Sequence, residues 1–231
     1  MIRNGGVTIS GRAANKPSEL VAGADQIEAT LPSCRYVSRG GLKLEAALRA
    51  FSIDPRGCRC LDIGASTGGF TDCLLQHGAE SVTAVDVGHS QMADNLLSDP
   101  RVRSFEGINA RSLRPEEIGA RGLCFDIIVV DLSFISLALV LPALYPLLAP
   151  GGQLVLLIKP QFEVGRKGLG KRGLVTNATL REQAVEKVCT AAANLGLGQL
   201  GVMESPITGG DGNLEYLAAF VKTNLQNNTS K

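Results

Sequence analysis

The chain has no tryptophan, three tyrosines and seven phenylalanines, so aromatic side chains make up only 4% of its 231 residues. Extensive stacking of nucleobases on aromatic platforms is therefore not indicated. The two histidines, His77 and His89, flank none of the six cysteines, and no two cysteines form a C-x-x-C pair. That spacing argues against a zinc site, and no metal is expected. Cys58, Cys60, Cys124 and Cys189 fall within apolar patterns and are expected as small buried hydrophobes in a reducing compartment. Charge of either sign is not in excess: the formal net charge is +1. Local clustering, and not overall charge, must then decide whether nucleic acid is a partner. The longest apolar run, Ile135 to Leu148, is interrupted by Pro142 and Pro146. It is too short and too broken to span a membrane. The opening residues lack the pattern of a signal peptide, so a cytoplasmic protein with no membrane partner is expected.

Two kinds of sequence are present. Residues 1–32 read as short strands and turns: Gly5-Gly6, the run Val7-Thr8-Ile9, Ser10-Gly11, Lys16-Pro17, then the alternating Asp25 to Ala29. Such a segment is too small to bury a core by itself. Leu31-Pro32 marks a boundary. A second domain follows over residues 33–223, and residues 224–231 form a polar tail. In the second domain Leu44, Ala47, Leu48 and Phe51 fall on one helical face. Strands are then expected near 58–63, 81–87, 102–106, 125–131, 152–158, 198–204 and 214–222. Helices are expected near 69–77, 90–98, 135–148 and 178–195, the last with a capping box from Thr179 to Glu182. Ile127 to Val130 and Leu154 to Ile158 are unbroken apolar runs, as parallel strands covered on both faces require. The alternation predicts an α/β fold: a Rossmann-like, doubly wound, mostly parallel seven-stranded sheet. No helix separates the last two strands, so the final one is expected to enter antiparallel.

The most informative stretch is Asp62-Ile63-Gly64-Ala65-Ser66-Thr67-Gly68-Gly69-Phe70-Thr71-Asp72. An apolar strand ends in an acid, turns through glycines and opens a helix whose free amides favour anionic groups. A second acid, Asp86, ends the next strand and can accept from both hydroxyls of a ribose. A dinucleotide site would read G-x-G-x-x-G. This loop has Ala65-Ser66 where the second glycine would stand, and its D-x-G-x-x-x-G-G form favours S-adenosylmethionine. A merely tight turn would not explain acids at two successive strand ends. The candidate cofactor residues are Asp62, Gly64, Ala65, Ser66, Thr67, Gly68, Gly69, Phe70, Asp86, Val87, Asn109 and Asp131.

Four polar residues interrupt apolar patterns. Lys43 lies beside the stripe of the first helix. Asp131 ends one apolar run. Lys159 ends another and precedes Pro160, and Glu215 opens the last strand after Gly209-Gly210-Asp211-Gly212-Asn213. With these residues the sequence resembles the TlyA family, a branch of the FtsJ-like RNA 2′-O-methyltransferases. The resemblance rests on Val37 to Leu44, Asp62 to Asp72, Val130 to Ser136, Ile158 to Glu163 and Gly212 to Tyr216, and it covers residues 35–222. It implies that Lys43, Asp131, Lys159 and Glu215 are a catalytic tetrad. It also implies methyl transfer to cytidine ribose 2′-hydroxyls of ribosomal RNA. Chemically, a ribose hydroxyl needs orientation and removal of its proton. Lys159 is the candidate base if neutral, or a stabiliser of the developing alkoxide if charged.

Residues 2–29 resemble the second half of an S4 RNA-binding domain, whose two preceding helices are not part of this sequence. A second basic cluster, Arg166-Lys167-Gly168-Leu169-Gly170-Lys171-Arg172, follows the Lys159 strand, and four cations among glycines suit a phosphate backbone. Lys16, Arg35 and Arg39 are further candidate RNA contacts. Expected partners are ribosomal RNA or ribosomal subunits. Three other functions compete: a methyltransferase for another substrate, which would not need the tetrad; a membrane-active hemolysin, a label some members of the family carry, which no amphipathic or spanning segment supports; and a catalytically silent RNA-binding protein, against which Asp62, Asp86 and the tetrad argue.

Overall fold

The computed structural model describes residues 7–14, 16, 18–29, 34–210 and 212–223, with nothing stated of the Lys167 side chain. The Gly5-Gly6 turn, Pro17, the Leu31-Pro32 boundary, Asp211 and the 224–231 tail lie outside the described residues. The chain divides into two compact units between Arg35 and Tyr36.

In the first unit, β1 (Val7–Ile9), β2 (Arg12–Ala13) and β3 (Ile27–Ala29) form an antiparallel sheet in the order β2-β1-β3. Ser10 and Gly11, both at positive φ, make the turn between β1 and β2. Asp25 fixes the return of the chain by accepting hydrogen bonds from the Ser10 hydroxyl and the Ala22 amide.

The second unit runs α1 (Gly40–Ala50), β4 (Arg59–Ile63), α2 (Gly69–Gln76), β5 (Ser81–Val85), α3 (Asp94–Leu97), β6 (Val102–Phe105), β7 (Phe125–Val130), α4 (Leu141–Leu144), β8 (Leu148–Ile158), α5 (Pro160–Glu163), α6 (Ala178–Asn194), β9 (Leu197–Glu204) and β10 (Tyr216–Lys222). Its sheet has the order β6-β5-β4-β7-β8-β10-β9. The strands from β6 to β8 are parallel, and β10 pairs antiparallel with both β8 and β9. The seven expected strands are all present.

Side-chain alternation splits the core cleanly. Leu61, Ile63, Ile128, Val130, Leu154, Leu156, Ile158, Ala218 and Phe220 face one layer, with α4 and α6. Cys60, Ile127, Val129, Val155, Leu157, Leu217 and Ala219 face the other, with α1 and α2. Burial on both faces is what made β7 and β8 read as continuous apolar runs.

Several expectations fail for local reasons. The stretch expected as one helix over 135–148 is a 3-10 turn at Leu137–Leu139, then α4, then another 3-10 turn at Tyr145–Leu147. Pro142 and Pro146 lack the amide that would continue a helix, and each sits at the start of a new turn instead. The helix expected over 90–98 shrinks to the four residues of α3, because Ser90 takes positive φ and Ala93 is extended. Asn177, and not Thr179, caps α6: its side chain accepts from the Leu180 amide at 3.4 Å. Of the four cysteines expected in the core, only Cys60 is buried. Cys58 and Cys124 precede their strands and Cys189 flanks the buried line of α6, which leaves all three half-buried, whereas Cys73 is buried with most of α2.

Candidate active site

The chain reverses its direction of sheet-building between β4 and β7, since β5 and β6 lie to one side and β8 to the other. Crevices at such switch points, outside the carboxyl ends of the strands, hold ligands in open α/β sheets. Register puts one glycine and four polar residues along this rim. Gly64 follows β4, Asp86 follows β5, Asp131 follows β7 and Lys159 follows β8. Because β10 is antiparallel and pairs Tyr216 with Ile158, Glu215 arrives at the same edge.

At the switch point a Cβ on Gly64 would lie 2.2 Å from the carbonyl oxygen of Asp131, and the residue has φ +84°. Only glycine lets the ends of β4 and β7 approach this closely. The amides of Gly64 and Asp131 donate to Val85 and Ile63 carbonyls, which closes the rim.

Three cavities lie along it. The first, about 240 Å³, is lined by Ser38, Arg39, Gly40 and Lys43 on one side, by Gly64, Ala65, Ser66, Thr67, Gly69 and Phe70 on the other, and by Asp131. The starts of both α1 and α2 open onto it, and at α1 the amides of Gly40, Gly41 and Leu42 already donate to the Ser38 hydroxyl, the Ser38 carbonyl and the Arg39 carbonyl. The second, about 250 Å³, is lined by Gly64, Val85, Asp86, Val87, Ile108, Asn109, Ala110 and residues 132–135. The third, about 630 Å³, is lined by Ser133 to Ser136, Lys159, Gln161, Phe162, Gly165, Arg166, Leu169, Arg172, Gly173, Gly210, Asn213 and Glu215. The first two cavities share Gly64, and the second and third share Ser133, Phe134 and Ile135.

The four tetrad candidates come together as two ion pairs. Lys43, buried on α1, meets Glu215 at 2.5 Å, and both side chains are at most one-tenth exposed. A Cβ on Gly209 would lie 2.4 Å from Glu215 Oε1, so the glycine there makes room for the carboxylate. Lys159 Nζ lies 2.6 Å from Asp131 Oδ1 and donates to Ser133 Oγ at 3.0 Å. Asp131 Oδ1 has no partner of hydrogen-bond geometry, so its contact with Lys159 is electrostatic and the directed bond is the one to Ser133. Each pair joins two cavities: Lys43 and Asp131 line the first, Glu215 and Lys159 the third.

Asp86 holds the glycine loop, accepting from the amides of Ser66 at 2.8 Å and Gly88 at 2.7 Å. Asp62 is fully buried beneath the loop and lines none of the three cavities. Its Oδ2 accepts from the Thr71 hydroxyl at 2.7 Å, and its Oδ1 has no partner. Burial pushes its carboxyl up to about 7 against the pull of the Thr71 bond, with the Asp131 and Asp86 charges adding to the rise. Gly68, at φ +94°, packs on Leu96 and starts α2 without lining any of the three cavities. Asn109 caps the following 3-10 turn through the Arg111 amide.

Of the cations expected at RNA, Arg166 and Arg172 line the third cavity and Lys171 is exposed beside them. Arg39 opens instead onto the first cavity. Lys16 and Arg35 belong to the first unit and are exposed.

Sequence reasoning passed over Ser38, Ile108, Ser133, Glu163 and Asn213. The buried Asn213 accepts from the Val175 amide at 3.0 Å and donates to the Gly173 carbonyl at 3.2 Å, anchoring the basic loop two residues before Glu215. Its place after a glycine run was the available signal. Among the described residues, no three histidine, cysteine or carboxylate groups gather to hold a metal, and no helix is long and apolar enough to cross a membrane.

A mostly parallel seven-stranded sheet with β10 entering antiparallel, and with its glycine loop at the switch point, is the Rossmann-like fold of methyltransferases. The FtsJ-like methyltransferase model matches residues 36–222, and the chain belongs to that family. The 16S/23S rRNA (cytidine-2′-O)-methyltransferase TlyA of Mycobacterium tuberculosis is 48% identical over 217 residues, covering 94% of this chain and 80% of that protein. Hemolysin A of Brachyspira hyodysenteriae is 40% identical, covering 96% of this chain and 91% of its own. A solved structure from Streptococcus thermophilus, carrying a provisional hemolysin label, is 43% identical with a TM-score of 0.83, covering 96% of this chain and 81% of its own.

Proposed function

We propose that this chain transfers a methyl group from S-adenosylmethionine to the ribose 2′-hydroxyl of a cytidine in ribosomal RNA. The observation that carries the reading is the pair of ion pairs, Lys43–Glu215 and Lys159–Asp131, each joining the first cavity to the third. Methyl transfer needs that arrangement, with donor and acceptor in separate spaces and the reacting groups between them. The names of the relatives support the acceptor class.

The residues fit the cofactor. The second cavity has apolar walls in Val87, Ile108 and Leu132 for a flat base, with the Asp86 carboxylate beside them for a ribose. Val87 is two-thirds exposed, a wasteful place for an apolar side chain unless something covers it. The first cavity presents two helix starts and Arg39, which suit the carboxylate of the methionine moiety. When bound, the cofactor supplies a methyl carbon on a cationic sulfur, open to attack by oxygen.

The chain's own groups do the rest. Ser133 and Asp131 hold Lys159 Nζ at the floor of the third cavity, where the ribose hydroxyl is oriented. Methylation of that hydroxyl would free its proton, to Lys159 if neutral or otherwise to solvent. When charged, Lys159 instead stabilises the alkoxide. Arg166 and Arg172 at the cavity wall, with Lys171 in the same loop, supply cations for the phosphates on either side. The first unit, with Lys16 and Arg35, is a second RNA contact of S4 type. The test is transfer from labelled cofactor to each ribosomal subunit, followed by mapping of the modified ribose. Transfer to small acceptors but not to RNA would overturn the reading.

A further inference from the structure

We infer that Glu163 is a positioning residue for methyl transfer, one that clamps the loop between Asp131 and Leu137 against the segment carrying Lys159. The inference rests on the function proposed above. Glu163 ends α5, four residues after Lys159, and its side chain is 1% exposed. A buried carboxylate is costly unless its oxygens are satisfied. Here they are satisfied by the opposite loop. Oε2 accepts from the Ser136 hydroxyl at 2.5 Å and Oε1 from the Leu137 amide at 2.7 Å. Lys187, half exposed on α6, donates to Oε2 and to the Glu163 carbonyl, each at 3.0 Å.

The loop is thus held at both ends by one short segment. Lys159 grips its start through Asp131 and Ser133, and Glu163 grips its end through Ser136 and Leu137. Between the grips, Phe134 sits at φ +66°, a conformation an aromatic residue rarely keeps unless its neighbours impose it. The held residues 133–135 are also the wall shared by the second and third cavities. Releasing the Glu163 end would let that wall shift and carry Ser133 away from Lys159 Nζ. No atom of Glu163 need touch substrate for this to matter, because a misplacement of about 1 Å at reacting groups can cost roughly 10²-fold in rate.

The experiment compares Glu163→Gln and Ser136→Ala with Val188→Ala, a buried α6 substitution that lines none of the three cavities and reports on lost stability. Each full-length variant is assayed by thermal melting, by calorimetric binding of S-adenosylhomocysteine, and by single-turnover methylation of ribosomal subunits at saturating RNA and cofactor. Glu163→Gln is expected to lose roughly 10²-fold in rate, Ser136→Ala less, and Val188→Ala to keep its rate despite a lower melting point. A wild-type rate in Glu163→Gln, or an equal rate loss in Val188→Ala, overturns the clamp. If the wild-type chain methylates no ribosomal RNA, the acceptor reading fails and cofactor affinity decides the clamp instead. Binding weakened in Glu163→Gln but not in Val188→Ala then supports it, and equal binding overturns it.

Discussion

Lys43 and Glu215 stand 172 residues apart in the chain and meet at 2.5 Å, yet Lys43 lines one cavity and Glu215 another. The Lys159–Asp131 pair repeats that geometry in a wetter setting, with side chains 13% and 25% exposed. Burial therefore separates two pairs that look equivalent in sequence. Lys43→Met leaves the Glu215 carboxylate buried without a cation, so a loss of about 3–5 kcal/mol is expected. Chemical denaturation measures it. A loss below about 1 kcal/mol, typical of surface pairs, would mean that water reaches Glu215.

Asp86 carries the second prediction. It already accepts from the Ser66 and Gly88 amides, each oxygen keeping a lone pair for a ligand. Asp86→Ala should weaken S-adenosylhomocysteine binding by one or more hydrogen bonds to a charged acceptor, about 1.5–3 kcal/mol each. Asp86→Asn should not restore it, since one of its two amide-facing atoms becomes a donor. Unaltered calorimetric affinity in either variant would remove Asp86 from the cofactor site.

The rim of the sheet was legible because strand ends are marked by a change from apolar to polar: Asp86, Asp131 and Lys159 all stand at such changes. Which polar residue meets which was not legible. The pairing of Lys43 with Glu215 depends on β10 running antiparallel beside β8, a register that no local pattern encodes. Glu163 and Asn213 escaped notice because each works by hydrogen bonding backbone in a distant loop, and such bonds leave no periodic trace. The helix expected over 135–148 failed where hydrophobicity outweighed Pro142 and Pro146 in the reading, although proline is the stronger local determinant. Asp62 was expected at the ligand because of its place in the glycine motif. Its strand parity instead points it to the buried face shared with Cys60 and α2.

That burial gives a pH prediction. The Asp62 carboxyl is raised from 3.8 to about 7 in the folded chain. A group with a raised folded value binds its proton more tightly when folded. Its stabilising contribution is full below about pH 4 and is lost as pH rises toward 7. The loss is of the order of 4 kcal/mol at most, for a shift of about three pH units. Asp62→Asn removes the ionisation and keeps an acceptor for Thr71. Denaturation curves between pH 4 and 8 should therefore be flatter for the variant than for the wild type. Parallel curves would show that Asp62 does not titrate in this range.

The last prediction separates chemistry from architecture at Lys159. Lys159→Ala should fold, because the side chain packs at a cleft and its partner Asp131 is one-quarter exposed, so water can replace the lost cation. It should bind the cofactor, because Lys159 lines neither of the first two cavities. Methyl transfer should fall about 10²–10⁴-fold, the usual contribution of a positioned acid–base group. Lys159→Arg asks how the residue acts. A guanidinium cannot give up its proton near neutral pH, and its planar fork does not fit a site where Ser133 Oγ lies 3.0 Å from a single nitrogen. An inactive arginine variant that folds and binds cofactor supports proton acceptance or the strict geometry of the amine. An active one would mean that positive charge alone suffices, and that Lys159 works by stabilising the alkoxide. Single-turnover methylation at saturating cofactor and RNA, beside a melting curve and a binding isotherm, distinguishes these outcomes. Near wild-type rates in Lys159→Ala would remove the residue from the reaction altogether.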